Sequence, residues 1–210
     1  LLIHLAGKQL QKKAAEVIEG ENLDILIGSR PLNEERDEKK KEAVKNNVLR
    51  ILKEKYDVEL FHLEEEVEKK GDDLQKLINY SKREVKENII TLDGVLNEGI
   101  DCEELRKLCM KIVAPVPKNI KDLKTRKLLQ TIIAEKSGED AARKIVAPLF
   151  YLNDLRVCFA HLIPQKEIDE YEANIVSAFG LSDFTEYKKM YDTLIDELYS
   201  LYRYLNVTEI

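Results

Sequence analysis

Tryptophan is absent from this 210-residue chain, glycine (8) and proline (5) are scarce, and there are only three histidines and three cysteines. So few turn-forming residues leave little punctuation for a sheet-rich fold of many short strands. Cys102, Cys109 and Cys158 form no CxxC pair and no disulfide framework, and reduced, buried thiols are the reading that follows. No apolar stretch approaches the roughly 20 residues a membrane-spanning helix requires. The opening Leu1-Leu2-Ile3-His4-Leu5-Ala6 lacks a basic leader and is too short for a signal-peptide core. No membrane partner is expected, and the location expected is cytoplasmic. Without an initiating Met, the chain reads as an excised piece of a longer protein.

What is abundant is charge: 35% of residues are Asp, Glu, Lys or Arg, beside 44% hydrophobic ones. That mixture, rich in Leu, Ile, Glu and Lys, favours helices. The formal net charge of −6 hides a local asymmetry. Between Arg106 and Ala147 eleven Lys or Arg face only four Asp or Glu, so this segment does not exclude a polyanionic partner. A solvated helix surface is the alternative.

Apolar residues recur at helical spacing along the chain. Leu2, Leu5, Leu10, Ala14, Val17 and Ile18 mark a first helix, and Gly28-Ser29-Arg30-Pro31 breaks the pattern. Further series run through Val44 to Tyr56 and Leu60 to Ile78, and another ends near Gly99. Asp101 is a candidate N-cap, with Glu103 and Glu104 in the first turn and the helix stopping before Pro115. Leu123, Leu128, Leu129, Ile132 and Ile133 mark the next helix, closed by Ser137-Gly138. Pro148 fits the first turn of the following helix and Pro164 limits its far end. The last helix is expected from Ser182 or Asp183, with Glu186 completing a capping box, and its stripe runs through Tyr187, Tyr191, Leu194, Leu198, Leu201 and Leu205. Lys-Ile-Val-Ala-Pro occurs at 111–115 and again at 144–148, but the flanks do not match and no repeat is inferred. The fold class expected is all-α: an up-and-down helical bundle at 101–210, with residues 1–100 as a helical extension or arm.

No phosphate-binding loop, dinucleotide fingerprint, HExxH or GxSxG is present. His62 and Glu66, four apart, are a weak candidate metal pair, and His4 reads as a packing or interface residue; no metal or cofactor is expected. The stretch from Pro148 to Ile163 is different. Leu149, Leu152, Leu155, Phe159, Leu162 and Ile163 fill one arc of a helix, and Arg156 falls inside that arc. A guanidinium keeps its charge, so it must meet a carboxylate, a phosphate or held water. Asp154 and His161, seven apart, align on a neighbouring face, where Asp154 could orient the imidazole. Arg156 can equally be an internally paired or snorkelling arginine, and His161 a helix-end residue meeting free carbonyls.

Leu152-Asn153-Asp154-Leu155-Arg156, followed after four intervening residues by His161, resembles the Arg-x4–6-His motif of the HEPN superfamily. The resemblance implies a dimeric helical bundle acting as a metal-independent endoribonuclease, in which the RNA 2′-hydroxyl attacks its own phosphate. It implies an effector in antiviral defence or abortive infection, with RNA, a second copy and a sensor, antitoxin or larger chain as partners. Carried over by position, Arg156 would stabilise phosphate charge and His161 would transfer protons, with Asn153 and Asp154 in support. Lys118, Lys121, Lys124, Arg126 and Lys127 would line the approach for RNA. On an ideal helix Arg156 and His161 stand roughly 140° apart, so two motif helices at a twofold axis would be needed to surround one phosphate. Val157, where active members often carry a polar residue, leaves open an inactive RNA-binding or dimerisation domain; a helical adaptor or scaffold is the further alternative.

Overall fold

A computed structural model describes residues 57–58, 69–70, 73–74 and 77–207. The apolar series before residue 57, the pair His62 and Glu66, and His4 lie outside the described residues.

Six α-helices make up the body: α1 (Lys82–Asp93), α2 (Cys102–Ile112), α3 (Thr125–Ser137), α4 (Glu139–Ala160), α5 (Gln165–Phe179) and α6 (Tyr187–Val207). Among the described residues there is no strand, so the all-α expectation holds. Helix contact crosses residue 100, because α1 packs on α4.

Each helix end has a local cause. Ser81 caps α1 in a capping box: Glu84 N–H donates to its Oγ at 3.3 Å, and its own N–H donates to Glu84 Oε2 at 2.9 Å. Asp101 caps α2 as expected, its Oδ1 accepting from Glu103 and Glu104 N–H at 2.8 and 3.0 Å. α2 ends before Val113, in extended backbone ahead of Pro115 and Pro117. Gly138, at φ 80, separates α3 from α4 where Ser137-Gly138 was expected to do so.

Three expectations need correction. Pro148 lies inside α4, which begins at Glu139 rather than at the proline. An internal proline removes one helical hydrogen bond and costs about 3 kcal/mol, and here the full burial of Val146, Leu149, Leu152 and Leu155 around it offsets that cost. α5 occupies a stretch to which the sequence pattern assigned no element. Its apolar positions are sparse, with Ile175 and Phe179 its buried residues, and it starts behind Pro164 and ends in left-handed Gly180. α6 starts at Tyr187, later than Ser182 or Asp183. Asp183 Oδ1 takes Thr185 N–H at 2.6 Å and Glu186 Oε1 takes Ser182 N–H at 3.0 Å, so the anticipated caps close a turn before the helix instead.

α4 is the central element, packed against α1, α3, α5 and α6, while α2 packs on α3. Leu149, Leu152 and Leu155 of α4 are fully buried with Ile89 and Leu92 of α1, Leu128 and Ile133 of α3, Ile175 of α5 and Met190 and Leu194 of α6. Tyr191, Leu194, Leu198 and Leu201 of the α6 stripe are therefore core, and Tyr191 meets Tyr80 edge-on, with centroids 6.3 Å apart. None of the described helices is long and apolar enough to cross a membrane.

Candidate functional site

Apolar packing around α4 is broken by one polar cluster, where the end of α1, the start of α3 and the second half of α4 converge. α1 does not stop cleanly at Asp93 but widens into a π-helical turn, Gly94–Glu98. Bonding from i to i+5 keeps residues four and five apart on one side, which groups Asp93, Asn97 and Glu98. Asn97 Nδ2 donates to Asp93 Oδ1 at 2.6 Å. A Cβ on Gly94 would fall 2.0 Å from Lys70 Nζ, so the missing side chain lets the lysine stem cross the turn and reach Glu98 at 3.6 Å.

Arg156 meets this turn from α4. Its Nε lies 2.7 Å from Asp93 Oδ2, and its Nη1 lies 3.8 Å from Glu98 Oε1. The Asp93 side chain is 2% exposed and that of Arg156 28%. The contact is ionic rather than a well-aligned hydrogen bond, because the Nε–H is not directed at the carboxylate despite the short separation. Asn97 Oδ1 is buried with no donor among the described residues. The arginine inside an apolar arc has thus met its carboxylate within the chain. Asp93 carries the matching signal, an acid inside the run Ile89, Ile90, Leu92, Val95, Leu96, and the sequence reading did not use it.

Arg126 and Asp154 adjoin the pair. The Arg126 guanidinium lies over the Phe150 ring, 5.3 Å from its centre, and Lys127 Nζ lies 5.0 Å from the same centre. Burial lowers the Arg126 pKa, Asp93 and Asp154 oppose that shift, and Arg156 adds to it. Burial also raises the Asp154 carboxyl, against the Asn153 hydrogen bond at 3.4 Å and the charge of Arg126. Nearby Cys158 is a thiol pushed up to about 12 by burial.

The structure brings Asn153, Asp154, Arg156 and Arg126 together and leaves His161 apart. α4 ends at Ala160; His161 follows in extended backbone (φ −101, ψ 143), exposed, with its N–H on Val157 O at 3.1 Å. The expected alignment of Asp154 with His161 fails because the helix stops first. Lys118, Lys121 and Lys124 are exposed on the connection before α3. Arg106, counted in the basic segment, is buried and serves the fold: it donates to Ile120 O at 3.1 Å and Leu123 O at 2.9 Å, and pairs with Glu103.

A second polar place has no signal in the sequence. Tyr80, held at φ 50, lines a groove of about 620 Å³ with Tyr187, Lys188, Asp192, Thr193 and Asp196. Lys188 Nζ lies 4.7 Å from the Tyr80 ring centre and bonds to Asp192. Among the described residues no group of three or more His, Cys, Asp or Glu could hold a metal ion.

No family model matches the chain, and no solved structure matches it. Part of it is similar to curated proteins named "Probable M18 family aminopeptidase 1". The relative from Clostridium acetobutylicum is 57% identical over 58 residues, 28% of this chain and 12% of that protein. Those from Borreliella afzelii and Borrelia garinii subsp. bavariensis are 50% and 48% identical over 60 residues, again 28% of this chain and 12% of theirs. The chain thus spans about an eighth of the length of these relatives. This likeness overturns the HEPN resemblance. The reading as an endoribonuclease in antiviral defence or abortive infection is corrected with it, because the relatives are named for peptide hydrolysis.

Proposed function

We propose that the chain works in peptide hydrolysis, as part of a protein of the aminopeptidase kind. The observation that carries this reading is the 57% identity over 58 residues to an aminopeptidase. In the helical body Arg156 is tied to Asp93 and Glu98 and His161 stands exposed beyond α4, so neither is placed to act on RNA as the motif required.

An aminopeptidase needs a free α-amine on its substrate, which gives the test. The full chain is incubated with leucine p-nitroanilide and with its N-acetylated form. Release of p-nitroaniline from the free-amine substrate, at least tenfold faster than from the blocked one, is expected. Equal release from both, or none above buffer, contradicts the reading.

A further inference from the structure

α3 opens with two adjacent cations that converge on one ring. Both Arg126 Cζ and Lys127 Nζ lie within 5.3 Å of the centre of Phe150 on α4. Among the described residues neither has a carboxylate at ion-pair distance; Lys127 donates to the neutral Gln130 Oε1 at 3.2 Å. Asp93 and Asp154 offset part of the Arg126 charge without coming within ion-pair distance of it: Asp93 lies 2.7 Å from Arg156, and Asp154 accepts from Asn153. Arg126 is half-buried and cannot shed its charge. A desolvated, permanently charged group beside a second cation is costly unless an anion joins them. The surroundings add to the positive potential. The first turn of α3 holds no acidic residue, and Lys124 before it is exposed.

We propose that Arg126 and Lys127, set on Phe150, form an oxyanion-binding site that takes the carboxylate or phosphate group of a small ligand. The planar guanidinium offers paired N–H donors that match two oxygens of either group, and the ammonium supplies a second, mobile charge. The ring holds the half-buried Arg126 guanidinium partly out of water, where an incoming anion is held more strongly than in bulk solvent. This site stands independently of the peptidase reading.

The test is a titration of the full chain, followed by NMR of arginine Nε–Hε and phenylalanine ring signals. Inorganic phosphate and N-acetylglycine, whose only charge is a carboxylate, are added separately against chloride at equal ionic strength. At least one of them should move the Arg126 and Phe150 signals saturably. The apparent affinity should fall at least tenfold in Arg126→Gln and threefold in Lys127→Gln, an exposed position that spares the fold. Lys166→Gln, exposed on α5, should change nothing. Response to phosphate alone or to N-acetylglycine alone assigns the ligand class. No saturable shift with either anion, or unchanged affinity in Lys127→Gln, overturns the site.

Discussion

At the scale of single residues, the chemistry of the body is dominated by burial. Arg156 and Asp93 show how a charge enters a core: the aspartate is almost wholly covered, so its stability depends on the guanidinium 2.7 Å away. Removing one partner of a buried pair leaves the other uncompensated, which costs about 3–5 kcal/mol, whereas replacing both by apolar groups is often neutral. Arg156→Ala should therefore lose about 3 kcal/mol in urea unfolding, and Arg156→Met combined with Asp93→Leu should recover most of it. An Arg156→Ala variant as stable as the parent would contradict this account of the arginine. Tyr191 gives a pH test. Burial raises its phenol from 10.0 to about 12, against the Asn88 hydrogen bond at 3.3 Å. Between those values the unfolded chain releases the proton while the folded chain keeps it, so stability falls as pH rises from about 10 to 12, by up to roughly 3 kcal/mol. Below pH 10 this contribution is fully present. Cys158, also raised to about 12, acts in the same direction from about pH 9. Urea unfolding at pH 8, 9, 10 and 11 should show the decline, and Tyr191→Phe should make it shallower above pH 10.

At the scale of elements, the helices stand on their ends and on the face that meets α4. Gly180 closes α5 at φ 60 with nothing within 4 Å of a would-be Cβ, so Gly180→Ala tests backbone conformation without steric interference. It should cost about 1–2 kcal/mol, read as a lowered melting temperature. Leu152, fully buried in α4, should lose about 2–5 kcal/mol as Leu152→Ala. Elements with dense apolar periodicity and explicit caps were legible from sequence: Asp101 with its acidic first turn, the Ser137-Gly138 break, and the stripe of α6. Those that escaped had weak local signals. α5 buries few side chains, and Pro148 is carried through α4 because tertiary packing outweighs a local breaker. The turn before α6 took the very residues that spell a cap. Asp93 was missed for a related reason: its partner lies far along the chain, and no spacing rule within one helix reveals a contact between two.

At the scale of the whole molecule, the same limit explains why fold and function were not equally legible. Helical periodicity repeats along the chain and announces an all-α body. A five-residue Arg-to-His spacing is short enough to arise in any charged helix, and here its arginine is bound to Asp93 while its histidine lies past the helix end. The aminopeptidase likeness rests instead on 58 aligned residues, a far longer match than two positions. Its relatives extend well beyond the share this chain covers. The central claim, peptide rather than RNA chemistry, meets its most direct test when the full chain is incubated with an unblocked decapeptide and with single-stranded RNA, and both are read by mass spectrometry. The account predicts a peptide ladder shortened one residue at a time from the amino end, unchanged in His161→Ala, with the RNA intact; an untouched peptide beside RNA fragments ending in cyclic phosphate would contradict it.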